Sequence, residues 1–211
     1  MMKRERRDRP EAKMMTLFRK FEKELRTRAW GEESARKTIT ESEEHGEAPT
    51  VVEKKITLKI FAAVARCLAL KVLAAGAIEI LEDISKKEAT LSARVFSKLI
   101  RVMKSQASLA VSDAQAALRA ATRRQKKEIP ARGRTSGTMK TKRFVRALAV
   151  LLKATKRLQR AIGDVAKAVQ FGIRRGKELR VAAATQVMRD LGALADGVQV
   201  LASQKIEKAV R

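Results

Sequence analysis

Aromatic residues are scarce in this chain, 3% of its 211 residues, and tyrosine is absent. Rings interleaved with cations are what single-strand platforms stack bases on, and that mode is therefore not expected. Cysteine occurs once, at Cys67, which excludes an internal disulfide and leaves no second thiol for a zinc site. Set in an apolar run, Cys67 reads as a buried, inert thiol, and a reducing compartment is permitted. Histidine also occurs once: His45 stands among Glu41, Glu43, Glu44 and Glu47, with no helical spacing that would make a metal site. Glycine forms no phosphate-cradling loop, because Gly163, Gly172 and Gly176 are isolated in helical context. Paired carboxylates such as Glu82-Asp83 sit at a helix end and read as surface residues. These absences argue against an enzyme and imply no metal and no cofactor.

Targeting signals are missing too. Met1 to Pro10 is basic without an apolar stretch behind it, and Glu5, Asp8, Glu11, Glu22 and Glu24 make a poor mitochondrial presequence. The most apolar segment, Leu58 to Leu81, carries Lys59, Arg66, Lys71 and Glu79, which argues against a membrane span.

What is abundant is positive charge. Lys and Arg number 48 against 23 Asp and Glu, a net charge of +25 and a pI near 11.0. A chain that repels itself so strongly calls for a polyanionic partner. Nucleic acid is the expected one, since each phosphate neutralised releases a condensed counterion. An anionic membrane surface is the rival. Hydrophobic residues reach 45%, mostly Ala, Val, Leu and Ile, enough for a core. Ala and Leu with Lys, Arg and Glu is a helix-forming composition, interrupted only by Pro10, Pro49 and Pro130. The expected fold class is all-α.

Periodicity divides the chain into a basic tail (1–13), a first helical unit (14–124), a basic linker (125–141) and a second helical unit (142–211). Met14, Phe18, Phe21 and Leu25 mark an amphipathic helix from Met14 to Ala29. Residues 32–49 lose the pattern and hold the acidic patch, either a solvated loop or a phosphate mimic lying in a basic groove. A long helix, apolar nearly all round and hence central, is predicted from Thr57 to Ser85. A short extended piece at Thr90-Leu91-Ser92 leads to a helix from Ala93 to Lys104, and Ser105 caps another from Gln106 to Arg124. Pro130, Gly133 and Gly137 predict a non-helical linker. A second long helix, Lys142 to Ile173, ends at Arg174-Arg175-Gly176-Lys177, and Leu179-Arg180-Val181 repeats the extended piece. Helices near Ala182 to Leu191 and Ala193 to Ala209 finish the chain. A shift of 88 residues superposes the halves: Leu99-Ile100-Arg101 falls on Val187-Met188-Arg189, Lys86-Lys87 on Arg174-Arg175, and Leu91 on Leu179.

A long helix, a basic loop with a Thr-containing extended piece, and a short helix resemble the latter part of the histone fold. The segment from Lys86 to Arg124 looks most like the two-B type of core histone, with 106–124 in the place of that type's additional C-terminal helix. The second half on the same register would be another histone fold of the two-A type, and the whole would resemble the fused doublets of some large DNA viruses. The resemblance implies a long central helix with short flanking helices, duplicated, in a DNA-packaging, nucleosome-like protein of chromatin in the nucleus or of a viral particle. It implies partners in duplex DNA and in other histone-like chains or a second copy, and no membrane. Residue by residue it implies phosphate contacts from Lys86, Lys87 and Thr90, from their counterparts Arg174, Arg175, Lys177 and Arg180, and from Lys54, Lys55 and Thr57 in the loop before the central helix. Histones make such contacts without reading bases.

Independently of the resemblance, Arg123, Arg124, Lys126, Lys127, Arg132, Arg134, Lys140, Lys142 and Arg143 face one acid, Glu128. A run of one sign is more than an ordinary solvated face, and phosphate contact is its expected use. Stacked apolar helices would present all these basic turns on a common outer surface. The alternative reading is an RNA-bound structural protein, such as a ribosomal component, whose basic linker threads through folded RNA.

Overall fold

The computed structural model describes residues 12–14, 16, 17, 19, 50–86, 92–131, 136–176 and 179–206, without the side chains of 127–131 and 136–140. It is all-α. Among the described residues, four long helices follow the helical residues of 12–19: α1 (Val51–Lys86), α2 (Ala93–Ala131), α3 (Ser136–Arg174) and α4 (Val181–Leu201), the last widening into a π turn at Ala202–Ile206.

Each helix buries a strict heptad stripe. In α1 the positions are Ile56, Ala63, Leu70, Ala77 and Ile84, with Cys67, Ala74 and Leu81 four residues on. The same pair of rows runs through Phe96, Met103, Ala110 and Ala117 with Ile100, Ala107, Ala114 and Ala121 in α2. It returns as Leu148, Thr155, Ile162 and Val169 with Leu151 and Leu158 in α3, and as Ala184, Leu191 and Val198 with Met188, Ala195 and Ala202 in α4. A period of 3.5 keeps an apolar seam facing its neighbours along long helices and favours a bundle. The many alanines on α2 let it pack closely.

The helices form an antiparallel ring. α1 packs on α2 and α4, α3 packs on α2 and α4, and the diagonal pairs barely meet. The direction follows from cross-links: Lys59 reaches Asp113 (2.8 Å) while Arg66 reaches Gln106 (3.1 Å), so α2 descends as α1 ascends. Lys71 with Asp196 (2.6 Å) and Arg189 with Glu82 (2.8 Å) show the same for α1 and α4. One continuous core holds residues of all four helices and Met14, which is fully buried. Leu17 lies over Gly76, and Lys13 pairs with Asp83 at 2.9 Å, so the described N-terminal residues rest against α1.

The 88-residue shift is visible in the architecture. It carries the end of α1 (Lys86) onto the end of α3 (Arg174) and the start of α2 (Ala93) onto the start of α4 (Val181). It also maps the buried Ala63, Cys67, Leu70, Ala74 and Leu81 onto the buried Leu151, Thr155, Leu158, Ile162 and Val169. Phe96, Ile100, Met103, Ala107, Ala110 and Ala114 fall on Ala184, Met188, Leu191, Ala195, Val198 and Ala202, all buried as well.

Several sequence expectations need correction. α1 begins at Val51, not Thr57, because Thr50 and Glu53 form a capping box: the Glu53 amide donates to Thr50 Oγ1 (3.3 Å), and the Thr50 amide donates to Glu53 Oε2 (2.7 Å). No break occurs at Ser105, where one 39-residue helix replaces the short helix and its appended neighbour. Ser105 lies on the exposed side, where a serine does not interrupt the buried heptad. The flanking helices are thus not short. The linker is largely helical, since α2 reaches Ala131 and α3 starts at Ser136. Lys, Arg and Gln are good helix formers, Gly137 falls in the first turn of α3, and α2 ends one residue beyond Pro130. The two terminal helices are likewise one helix with a π turn. The end of α3 follows the expectation, with Gly176 in the left-handed region at φ +64°.

By length and composition α1 could cross a bilayer, alone among the described helices. In the fold its heptad stripe is buried against α2 and α4, with Leu17 over Gly76, while Val72 stays exposed. The expected helix to Ala29 beyond residue 19, the acidic loop 32–49, and Thr90-Leu91 lie outside the described residues.

Candidate nucleic-acid interface

Charge is divided unequally around the ring. α2 and α3 together contain 19 Lys and Arg and three acids, whereas α1 and α4 contain seven and six. Because α2 and α3 are neighbours, the excess falls on one side of the bundle.

The acids present are also placed so that they do little to offset that side. On α1 and α4, Asp196 pairs with Lys71 and Glu82 with Arg189, whereas Asp83 pairs with Lys13 and Glu53 with Arg124 of α2. Asp113 of α2 is 8% exposed and turned toward α1, where Lys59 and the Arg66 Nε (3.1 Å) hold it. Asp164 on α3 is solvent-exposed and paired with Lys167.

Two stripes make up the basic face. On α2, exposed residues at steps of three, four or seven are Arg94, Lys98, Arg101, Ser105, Ser108, Ser112, Arg119, Arg123 and Lys126. On α3 they are Lys142, Arg146, Ala149, Lys153, Lys156, Arg160, Asp164, Lys167, Phe171 and Arg174, with Arg143 and Arg157 beside them. Such steps return to the same side of a helix. Gln159 Nε2 donates to Ser108 Oγ at 3.0 Å, joining the α2 stripe to the flank of the α3 stripe at mid-bundle. Each stripe, Arg94 to Lys126 and Lys142 to Arg174, runs along about 48 Å of helix.

The residues named from sequence stand at the two ends of the bundle. At one end, Lys86, Arg174, Arg175 and Arg180 are exposed. At the other, Lys55, Arg123, Lys126, Lys142 and Arg143 are exposed, while Lys54 and Thr57 are half-buried. Lys54, Lys55 and Thr57 lie in the first turns of α1 and not in a loop before it, which corrects that expectation. Arg124 is turned inward onto Glu53. Burial raises the Glu53 pKa, but the Thr50 amide, the Arg124 guanidinium and the Thr50 hydroxyl outweigh it and leave that pKa below the ordinary glutamate value. Lys87, Thr90, Arg132, Arg134 and Lys177 lie outside the described residues, as do the side chains of Lys127 and Lys140. The basic turns therefore do not gather at one place. They occupy two ends separated by the length of a helix, and the stripes of α2 and α3 connect them.

No family model, curated protein or solved structure matches this chain. What the face can do follows from its own geometry. Thirteen exposed cations in two neighbouring rows can meet a row of phosphates. The stripe cations between the ends, among them Arg94, Lys98, Arg101, Arg119, Arg146, Lys153, Lys156, Arg160 and Lys167, were not singled out from sequence. Their signal was legible in principle, as helical spacing of cations with almost no intervening acid.

The remaining chemistry is sparse. Among the described residues no group of three or more His, Cys, Asp and Glu could hold a metal. Cys67 is buried in the core, and desolvation pushes its thiol up to about 12.

Proposed function

We propose that the protein binds duplex DNA along the α2–α3 face by phosphate contact, without sequence preference, and serves to package it. The observation that carries this reading is the 19-to-three imbalance of charge on two adjacent helices, beside near balance on the other two. Stripes about 48 Å long match about 14 base pairs of duplex at about 3.4 Å each. The histone resemblance enters this proposal as a shared mode of contact: neutralised phosphates, unread bases, and apolar helices as the frame.

Nuclease digestion of long duplex DNA assembled with the protein is the deciding experiment. Packaging predicts protected fragments of discrete length, or a ladder. Smooth degradation at saturating protein overturns packaging. A competition in which one structured RNA displaces duplex DNA at equal phosphate concentration would favour the ribosomal type of role instead.

A further inference from the structure

Phe171 is out of place on the α3 stripe. The heptad that packs α3 passes through Ile162, Val165, Val169 and Gly172, so Phe171 belongs to the outward row. It is 55% exposed, flanked on that row by Lys167 and Arg174. An apolar hollow lined by Phe96 of α2 and by Ala168, Val169 and Gly172 of α3 lies close by, and the ring does not fill it. It stands outside, with the Arg175 guanidinium 4.2 Å from its centroid. A cation over the ring face holds it in a set orientation on the charged surface. The start of α2 borders the same hollow, so Arg94 and Lys98 are near neighbours of this end of the face.

We infer that Phe171 is an apolar wedge that enters a loosened base step of the bound duplex, while Lys167 and Arg174 seat the flanking phosphates. Proteins that distort duplexes insert single apolar side chains between base pairs from within a charged surface. The penalty for parting two base pairs is least where stacking is already broken, so the protein should favour gapped or mismatched sites over intact duplex. The inference rests on the phosphate-binding reading above and adds to it a preferred kind of site.

Two duplexes of the same sequence and about 30 base pairs test it, one intact and one with a single-nucleotide gap flanked by 2-aminopurine. The wild-type chain should bind the gapped duplex roughly tenfold more tightly, with a change in 2-aminopurine emission. Phe171→Ala should bind intact duplex as the wild type does, with the same salt dependence, and lose both the preference and the emission change. Because the side chain is exposed, its removal leaves the core untouched. Phe171→Leu keeps an apolar wedge and should retain part of the preference. Equal wild-type affinity for the two duplexes overturns the wedge and leaves phosphate binding standing, as does a preference that survives in Phe171→Ala. A wild-type chain that binds neither duplex removes the phosphate reading and the wedge together.

Discussion

Replacing Lys153, Lys156, Arg157 and Arg160 with glutamine removes four exposed cations from a little over two turns in the middle of α3. A straight row meets a helical duplex only where the sugar-phosphate strands come round to it, so roughly half of the thirteen stripe cations can touch phosphate at once. With about seven contacts, the logarithm of affinity should fall against the logarithm of salt with a slope of about −6. Between about 50 and 200 mM salt that is a loss of roughly 10³–10⁴-fold in the wild type. The four-glutamine variant should have a slope shallower by about two to about four, and lose only roughly a hundredfold over the same range. Glutamine is nearly as good a helix former, so stability should change by less than about 0.5 kcal/mol. Fluorescence anisotropy with a labelled duplex gives the slopes. The control is Lys71→Gln with Arg189→Gln, which removes two cations from the α1–α4 side, where both are paired with acids. Its slope should equal that of the wild type. The reasoning fails if the α3 variant keeps the wild-type slope, or if the control flattens it as much.

Other predictions concern the ends, the cap and the core. Lys86→Ala with Arg174→Ala and Arg175→Ala should weaken binding to every duplex sequence alike and flatten the salt slope; sequence-dependent losses would mean that bases are read at this end. Thr50→Ala removes the hydroxyl that caps α1 and should cost about 1 kcal/mol in urea unfolding. The Glu53 pKa is lowered in the folded state, so its contribution to stability is complete at neutral pH and disappears as pH falls through the folded value. Glu53→Gln should flatten that acid limb of the stability profile; an unchanged limb would show that the pairing with Thr50 and Arg124 contributes nothing. Leu158→Ala, in the core of α3, should cost about 2–5 kcal/mol. Cys67 should resist thiol reagents in the native protein and react at the global unfolding rate, and rapid labelling would contradict its burial.

The cations at the ends of the bundle could be read from the chain where they adjoin one another, as at Arg174-Arg175 and Lys142-Arg143. The stripes between them could not be recognised in the same way. Cations three and four residues apart look like the ordinary solvated side of any helix, and α1 carries such a pair too in Lys55 and Lys59. The breaks expected at Ser105 and in the linker came from weighing single residues. The uninterrupted heptad through α2 carries more weight, because burial accumulates over many turns whereas one exposed serine costs little.

Linear order was enough to establish helices throughout and a large excess of one charge, since composition and period are local properties. It could not establish which helices are neighbours. All four carry the same kind of seam, so each is compatible with several partners, and connection lengths and side-chain volumes along the whole bundle choose among them. That choice sets α2 beside α3 and the acids of α1 beside α4 and α2. An electrostatic surface is a sum over whatever lies within about a Debye length, about 8–10 Å, and that sum exists only once the helices are assembled.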